Sequence, residues 1–112
     1  MSKTRRNQLS EIMRLAWQFI RKNGMSMSDA LKVAWRNNKV RARMREGIVK
    51  FYFQKVDGSV REAYGTLKET LIPSHTDGGG RKKNDTVQTY FDTEKGEWRC
   101  FKKANLINIV NA

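Results

Sequence analysis

The side chains that could do chemistry in this sequence are few, and their spacing favours binding over catalysis. There is one histidine, His75, in a polar loop, and one cysteine, Cys100, in a strand-like run beside Arg99. No Ser-His-Asp set and no pair of carboxylates stands out, so no nucleophile has a base to activate it and no acid has a basic partner. One Cys and one His cannot supply the four ligands of a zinc site, and a single cysteine forms no intrachain disulfide. The expectation is therefore a chain that is not an enzyme, with no metal and no cofactor. His75 reads as a solvent-exposed bystander and Cys100 as a small buried hydrophobe.

What is abundant is positive charge. Lys and Arg number 23 against 11 acids, a net charge of +12 over 112 residues. Such an imbalance costs self-repulsion and makes sense where the usual partner is a polyanion; DNA, RNA and an anionic membrane surface qualify, and a merely solubilising surface is the plainer reading. Charged Lys3, Arg5 and Arg6 are followed by no apolar run of signal-peptide length, and the longest apolar cluster is broken by Arg14 and Gln18. No export signal or membrane span is expected, and the cysteine usage suits a reducing, cytoplasmic compartment. The charge is uneven: residues 1–47 hold twelve cations and three acids, residues 48–112 eleven and eight.

Three constellations could meet nucleic acid. Arg36, Lys39, Arg41, Arg43 and Arg45 form a dense run whose charges wrap a helix, able to neutralise several phosphates, with Glu46 the only acid nearby in sequence. The same run also reads as a solvated helix end, where cations meet the helix dipole favourably. Gly78-Gly79-Gly80 followed by Arg81, Lys82 and Lys83 lets backbone amides approach a phosphate with cations close behind. It lacks Walker spacing and reads equally as a hairpin connection. Tyr52, Tyr64, Tyr90 and Trp98 fall in strands beside Lys50, Arg99 and Lys102, as a base-stacking platform would require. A small barrel also needs large residues inside, so for any one of these aromatics the core is the better assignment. Trp17 and Trp35 read as helix-packing residues.

These groups need elements to position them. Leu9, Ile12, Met13, Ala16, Phe19 and Ile20 recur at helical steps as one apolar stripe, ended by Gly24 as a left-handed cap. Ser26 and Asp29 form a variant capping box that starts a second helix with Met27, Ala30, Leu31, Ala34 and Trp35 on its face. Residues 39–46 alternate as a strand might, but Lys, Arg, Ala and Met favour helix and Gly47 supplies a stop. From Ile48 the period becomes two. Val49, Phe51 and Phe53 begin a strand, Asp57-Gly58 signals a two-residue hairpin turn, and further strands are expected over about 59–67, 86–92, 97–102 and 106–110, with a one-turn bend at 103–105. The fold class is α+β: an N-terminal helical region over 1–47, then a small five-stranded antiparallel SH3-like β-barrel over 48–112, together one compact domain. Closure would resolve the edge-strand problem. Its core is expected from Val49, Phe51, Phe53, Ala63, Leu67, Val87, Phe91, Phe101, Leu106 and Ile109.

The segments Lys55-Val56-Asp57-Gly58-Ser59-Val60-Arg61-Glu62-Ala63-Tyr64-Gly65-Thr66-Leu67 and Trp98-Arg99-Cys100-Phe101-Lys102-Lys103-Ala104-Asn105-Leu106, with the Ala30-Leu31-Lys32-Val33-Ala34-Trp35 lead-in, resemble small bacterial and phage proteins described as WYL-like, with an Sm-like SH3 β-barrel. The resemblance covers most of residues 27–110. Larger WYL domains are regulatory modules of bacterial transcription factors, implicated in binding nucleic acid or nucleotide ligands. Their Arg-x-Phe strand is matched by Arg99-Cys100-Phe101; their Trp-Tyr-Leu signature is matched poorly, Thr89-Tyr90-Phe91 sitting in a comparable place with Thr for the Trp. The resemblance implies Arg99 as a candidate ligand contact.

The sequence thus points to a nucleic-acid-binding accessory or regulatory protein, of a kind a phage or mobile element carries, with DNA or RNA as partner and no membrane. The alternative is a protein-interaction module for an acidic host or virion protein. The short Gly24-Met25-Ser26 turn also permits a helix-turn-helix with the hairpin as wing, ranked lower because three strands follow.

Overall fold

A helical hairpin begins the chain because its turn residues leave little choice. The computed structural model describes residues 3–73 and 86–110, with side chains from residue 7. Helix α1 (Lys3–Asn23) ends at Gly24, whose φ of 67° is the left-handed value that glycine tolerates. Helix α2 (Met27–Glu46) starts on Ser26, whose Oγ accepts the Asp29 amide at 3.2 Å. Residues 39–46 are helical, and Gly47 closes the last turn by donating its N–H to the Arg43 carbonyl. Ile12, Ala16 and Phe19 of α1 meet Ala30 and Ala34 of α2, the alanines letting the helices approach closely.

The apolar residues of α1 do not form the single buried stripe expected of them. Leu9, Met13 and Trp17 are exposed, and so are Met27 and Trp35 of α2. Each helix buries a face too narrow to hold them. The two tryptophans are therefore only partly packed, with 48% and 46% of their surface open.

Five antiparallel strands follow: β1 (Val49–Gln54), β2 (Val60–Thr66), β3 (Val87–Asp92), β4 (Glu97–Lys102) and β5 (Leu106–Val110). The sheet order is β4-β3-β2-β1-β5. The β1–β2 connection is longer than two residues. Lys55 donates its N–H to the Ser59 carbonyl, Gly58 donates back to Lys55, and Gly58 takes a φ of 91°, the usual three-residue hairpin geometry. Short 3₁₀ turns occupy Glu69–Leu71 and Lys103–Asn105, the second at the expected bend between β4 and β5.

The expected closure does not occur. β2 and β3 share only the pairs Gly65↔Asp92 and Thr66↔Phe91, so the β3–β4 hairpin splays from β1–β2. Among the described residues no ladder joins β4 to β5, and both stand at the edges of the sheet. The concave side is filled by Val49, Phe51, Phe53, Ala63, Tyr90, Phe101 and Leu106 together with Val40 and Met44 of α2. Phe51 is central, 5.1 Å from the Tyr90 ring, edge to face, and 5.2 Å from Phe101. Phe91 is buried on the opposite face, under Trp98. Leu67, Val87 and Ile109, expected in the core, are only half-buried; Leu67 and Ile109 pack at its margin. Cys100 is exposed rather than buried. Alternation along β4 puts it on the face away from Phe101, and an edge strand has nothing to cover that face.

Polar side chains bolt the helices to the sheet. The Asn37 amide donates to the Val33 and Lys103 carbonyls at 2.9 and 2.8 Å. The buried Thr66 hydroxyl lies 3.1 Å from the Met44 carbonyl and 2.8 Å from that of Gly47, and accepts the Lys68 amide.

Candidate nucleic-acid interface

The cations of α2 divide into structural and free. Arg36 is half-buried and donates through Nη1 to the Leu106 carbonyl at 3.2 Å, so it pins β5 to the helix. Arg41 pairs with Glu11 of α1 at 2.8 Å. Glu46 is therefore not the only acid near the run: helix pairing brings up an acid thirty residues away. Arg43 is half-buried, and Lys39 and Arg45 are exposed. The basic segment is less available to phosphate than its charge density implies. Arg81, Lys82, Lys83, the glycine triplet and His75 lie outside the described residues.

Lys50 belongs to a separate cluster on the convex face. Its Nζ is 3.5 Å from Glu62 and lies over the rings of Tyr52 and Tyr64, at 5.8 and 5.7 Å from their centroids. Both tyrosine hydroxyls donate to the Glu62 carboxylate, at 3.3 and 3.1 Å. A hydrogen bond with Tyr52 and the charge of Glu62 hold the Lys50 ammonium above the ordinary lysine range, with burial opposing them. With a carboxylate at its centre, this face is a poor stacking platform for a polyanion.

The concave side offers more. Between the free edge of β4 and the tip of the β1–β2 hairpin lies a cleft of about 820 Å³. Arg61 and Arg99 line it from the inner face with Phe53, Tyr90 and Phe101; Lys55 stands at the hairpin tip, and Trp98 and Lys102, which alternate to the outer face of β4, meet it at the free edge; the acids that border it are Asp57 and Glu97. Strand alternation places Arg61, opposite Phe53 in register, and Arg99, opposite Tyr90, on the inner face. Both guanidiniums approach one carboxylate oxygen: Arg61 Nη2 is 3.2 Å and Arg99 Nε 3.6 Å from Asp92 Oδ2. Asp92 is 2% exposed, and its Oδ1 is occupied by the Glu94 and Lys95 amides of the β3–β4 turn. One carboxylate oxygen thus serves two cations. Arg99 also reaches Glu97 through Nη2 at 2.6 Å.

Donors outnumber acceptors here. Among the described residues, the Nε groups of Arg61 and Arg99, the Tyr90 hydroxyl and the Trp98 indole nitrogen are buried without a hydrogen-bond partner. Burial is the main cause that pushes the Tyr90 phenol up to about 12, with the charge of Asp92 second. It stays neutral, and the unmatched Nε–H groups of Arg61 and Arg99 leave the cleft floor electropositive.

Of the expected aromatics, Tyr90 is core, Tyr52 and Tyr64 are tied to Glu62, and half-buried Trp98 packs on the outer face of β4, 5.7 Å from Phe91, at the edge of the cleft. Of the expected cations, the structure puts Arg99 inside the cleft and Lys102 at its outer edge. Lys55, Arg61 and Asp92 were missed. Their signal was alternation: Arg61 falls on the same face as Ala63, where a cation needs an anionic partner.

No described helix is long and apolar enough to cross a membrane, and no group of described His, Cys, Asp or Glu residues could hold a metal ion. No solved structure matches the chain. It is 29% identical over 89 residues, 76% of its length and 86% of the relative's, to an uncharacterized 11.5 kDa protein of the Gp31-cd intergenic region of Enterobacteria phage T4. The model of the family described as WYL_2, Sm-like SH3 beta-barrel fold, matches residues 37–107. That span takes in the second half of α2, the whole β1–β2 hairpin, the Arg61–Asp92–Arg99 cluster and both walls of the cleft, so the chain belongs to the WYL_2 family.

Proposed function

We propose that the chain is a nucleic-acid-binding accessory protein that takes an unpaired strand into the cleft beside β4. The observation that carries this reading is the donor-rich floor: two guanidiniums share one carboxylate oxygen, with Lys55 at the hairpin tip and Lys102 and Trp98 at the outer edge of β4. Phosphates and base carbonyls supply the acceptors such a floor lacks, and an aromatic beside a basic groove is the usual means of holding single strands. The cleft volume of about 820 Å³ is on the scale of a few nucleotides. The role is binding, not a reaction. The kinship with a phage protein favours a phage-borne accessory factor.

Titration of labelled single-stranded and duplex oligonucleotides at several salt concentrations tests this. Single strands should bind more tightly than duplex. In the Lys55→Gln, Lys102→Gln variant the slope of log affinity against log salt should flatten by about 1.4, at about 0.7 per lost single-strand phosphate contact. Equal binding of duplex and single strand, or an unchanged slope, would remove the cleft from the interface. A difference between DNA and RNA strands in the same series would identify the substrate.

A further inference from the structure

The largest unexplained feature lies on the helices. Leu9, Met13 and Trp17 of α1 and Met27 and Trp35 of α2 are between 40% and 48% exposed. On α1 the spacing is i, i+4, i+8, one stripe along the helix; on α2, half-buried Leu31 bridges Met27 and Trp35 at the same step. Met13 and Trp17 each follow a seam residue, Ile12 and Ala16, as Leu31 and Trp35 follow Ala30 and Ala34. In an antiparallel pair, the positions one step after the seam project to the same side of both helices. Here the Gly24–Ser26 turn at one end and the Glu11–Arg41 pair at the other fix the helices as antiparallel. The two stripes therefore form one face. α2 meets the sheet through Arg36, Asn37, Val40 and Met44, so this face looks away from the sheet.

The border of that face is basic in a regular way. Arg14 and Arg21 stand three residues before and four after Trp17; Lys32 and Lys39 stand three before and four after Trp35. All four are exposed, and none has an ion-pair or hydrogen-bond partner among the described residues. Of the three acids in residues 1–47, Glu11 is held by Arg41, and Asp29 and Glu46 stand at the two ends of α2. A trough of Leu, Met and Trp between two rows of unpaired cations is complementary to a helix with an apolar face and acidic flanks.

We infer that the outer face of the α1–α2 hairpin docks an acidic amphipathic helix of a partner protein, completing a three-helix layer. A second copy of this chain does not fit, because it would set eight unpaired cations face to face. An anionic bilayer fits less well. Every one of these apolar side chains keeps less than half its surface open, so they lie along the hairpin rather than project for insertion. The stripe from Leu9 to Trp17 is about 12 Å long, at about 1.5 Å per residue, so the docked segment needs somewhat more than two turns.

The test uses the full chain and two synthetic peptides of about four helical turns with the same Leu-rich face, one flanked by Glu and the other by Lys. Binding is read by peptide anisotropy and by tryptophan emission. The Glu peptide should bind about tenfold more tightly than the Lys peptide, with a blue shift as Trp17 and Trp35 are covered. Arg14→Glu, Arg21→Glu, Lys32→Glu, Lys39→Glu together should invert that preference, and Met13→Glu should abolish binding of both peptides. All five positions are exposed, so circular dichroism should show the fold retained. Absence of binding, equal binding of the two peptides, or no inversion in the quadruple variant overturns the inference. So do tighter binding to phosphatidylserine vesicles than to the Glu peptide, a dimer in sedimentation, and loss of oligonucleotide binding in Met13→Glu. None of these variants touches the cleft, so this inference and the nucleic-acid reading fail separately.

Discussion

Gly65→Ala is the smallest change that tests how the concave core is built. Gly65 lies in β2 opposite Val49 and Asp92, and the Tyr90 ring rests directly on its backbone. A methyl group there would lie 2.6 Å from Tyr90 Cδ2 and 3.1 Å from both Tyr90 Cγ and Phe51 Cε1. Carbon atoms in good contact sit at about 3.5–4.0 Å, so the ring must retreat by roughly 1 Å. Phe51 and Phe101, at 5.1 and 6.0 Å between ring centroids, block that retreat, and Tyr90 is wholly buried. Overpacking of this kind costs about 1–3 kcal/mol. The reduced freedom of alanine in the unfolded chain returns about 0.4–1 kcal/mol, because Gly65 does not need a positive φ. The net loss should be about 1–2 kcal/mol. Urea unfolding followed by tryptophan fluorescence should show a lower midpoint at unchanged slope. In the Tyr90→Leu background the ring is gone, and the alanine should cost about 1 kcal/mol less. A Gly65→Ala protein as stable as the parent, or strictly additive losses in the double variant, would refute the placement of the ring.

Three further outcomes follow from the same contacts. Asp92→Ala leaves two guanidiniums without their carboxylate and two turn amides without an acceptor, and should cost about 3–4 kcal/mol in urea unfolding; a loss below about 1 kcal/mol would show the cluster to be solvated. Tyr90→Phe removes a buried hydroxyl with no partner and should leave stability at neutral pH unchanged or raise it by up to about 1 kcal/mol. The same variant carries a pH signature: the folded-state pKa is raised from 10.0 to about 12, so the stabilising effect of a neutral phenol is present below pH 10 and lost as pH rises toward 12. Tyr90→Phe should lack that alkaline loss in paired denaturation curves, and parallel curves above pH 10 would place the hydroxyl in water. Arg36→Gln should cost about 1 kcal/mol through the lost bond to the Leu106 carbonyl while leaving oligonucleotide affinity unchanged; a weakened affinity would return Arg36 to the interface.

Local rules read the elements well because each boundary here has a local cause. Gly24, Ser26, Gly47, Gly58 and the period change near Ile48 each act within a few residues, and the helices and strands begin and end beside them. The shift in the hairpin from two to three connecting residues is of the same kind, since Gly58 still supplies the positive φ. Facing was harder. Periodicity shows that Leu9, Met13 and Trp17 share a stripe, but not whether that stripe is the one α2 covers. Cys100 looked buried by residue type, yet whether a strand's outer face is covered depends on its place in the sheet, and β4 is an edge. Closure depends on how many pairs β2 and β3 make, a quantity set by tertiary packing rather than by any residue's propensity.

The candidate site was legible only in part, for a related reason. Charge counted along a sequence does not separate cations that hold the fold from cations that await a ligand. Arg36, Arg41 and Arg61 all look like surface arginines in the chain, and each is engaged by a carbonyl or carboxylate brought up from another element. The dense α2 run thereby loses much of its reach, whereas scattered Lys55, Arg99 and Lys102 converge on one cleft. Four unpaired cations of the helices, Arg14, Arg21, Lys32 and Lys39, border tryptophans rather than a groove that tracks a backbone. Phosphate recognition needs cations spaced along a path, and a docked acidic helix needs them in two rows beside an apolar trough. α2 separates the two arrangements, with the sheet and its cleft on one side and the apolar face on the other. On the two proposals together, an accessory protein built this way would hold a strand and a protein helix without competition between them, dividing the net charge of +12 between two surfaces.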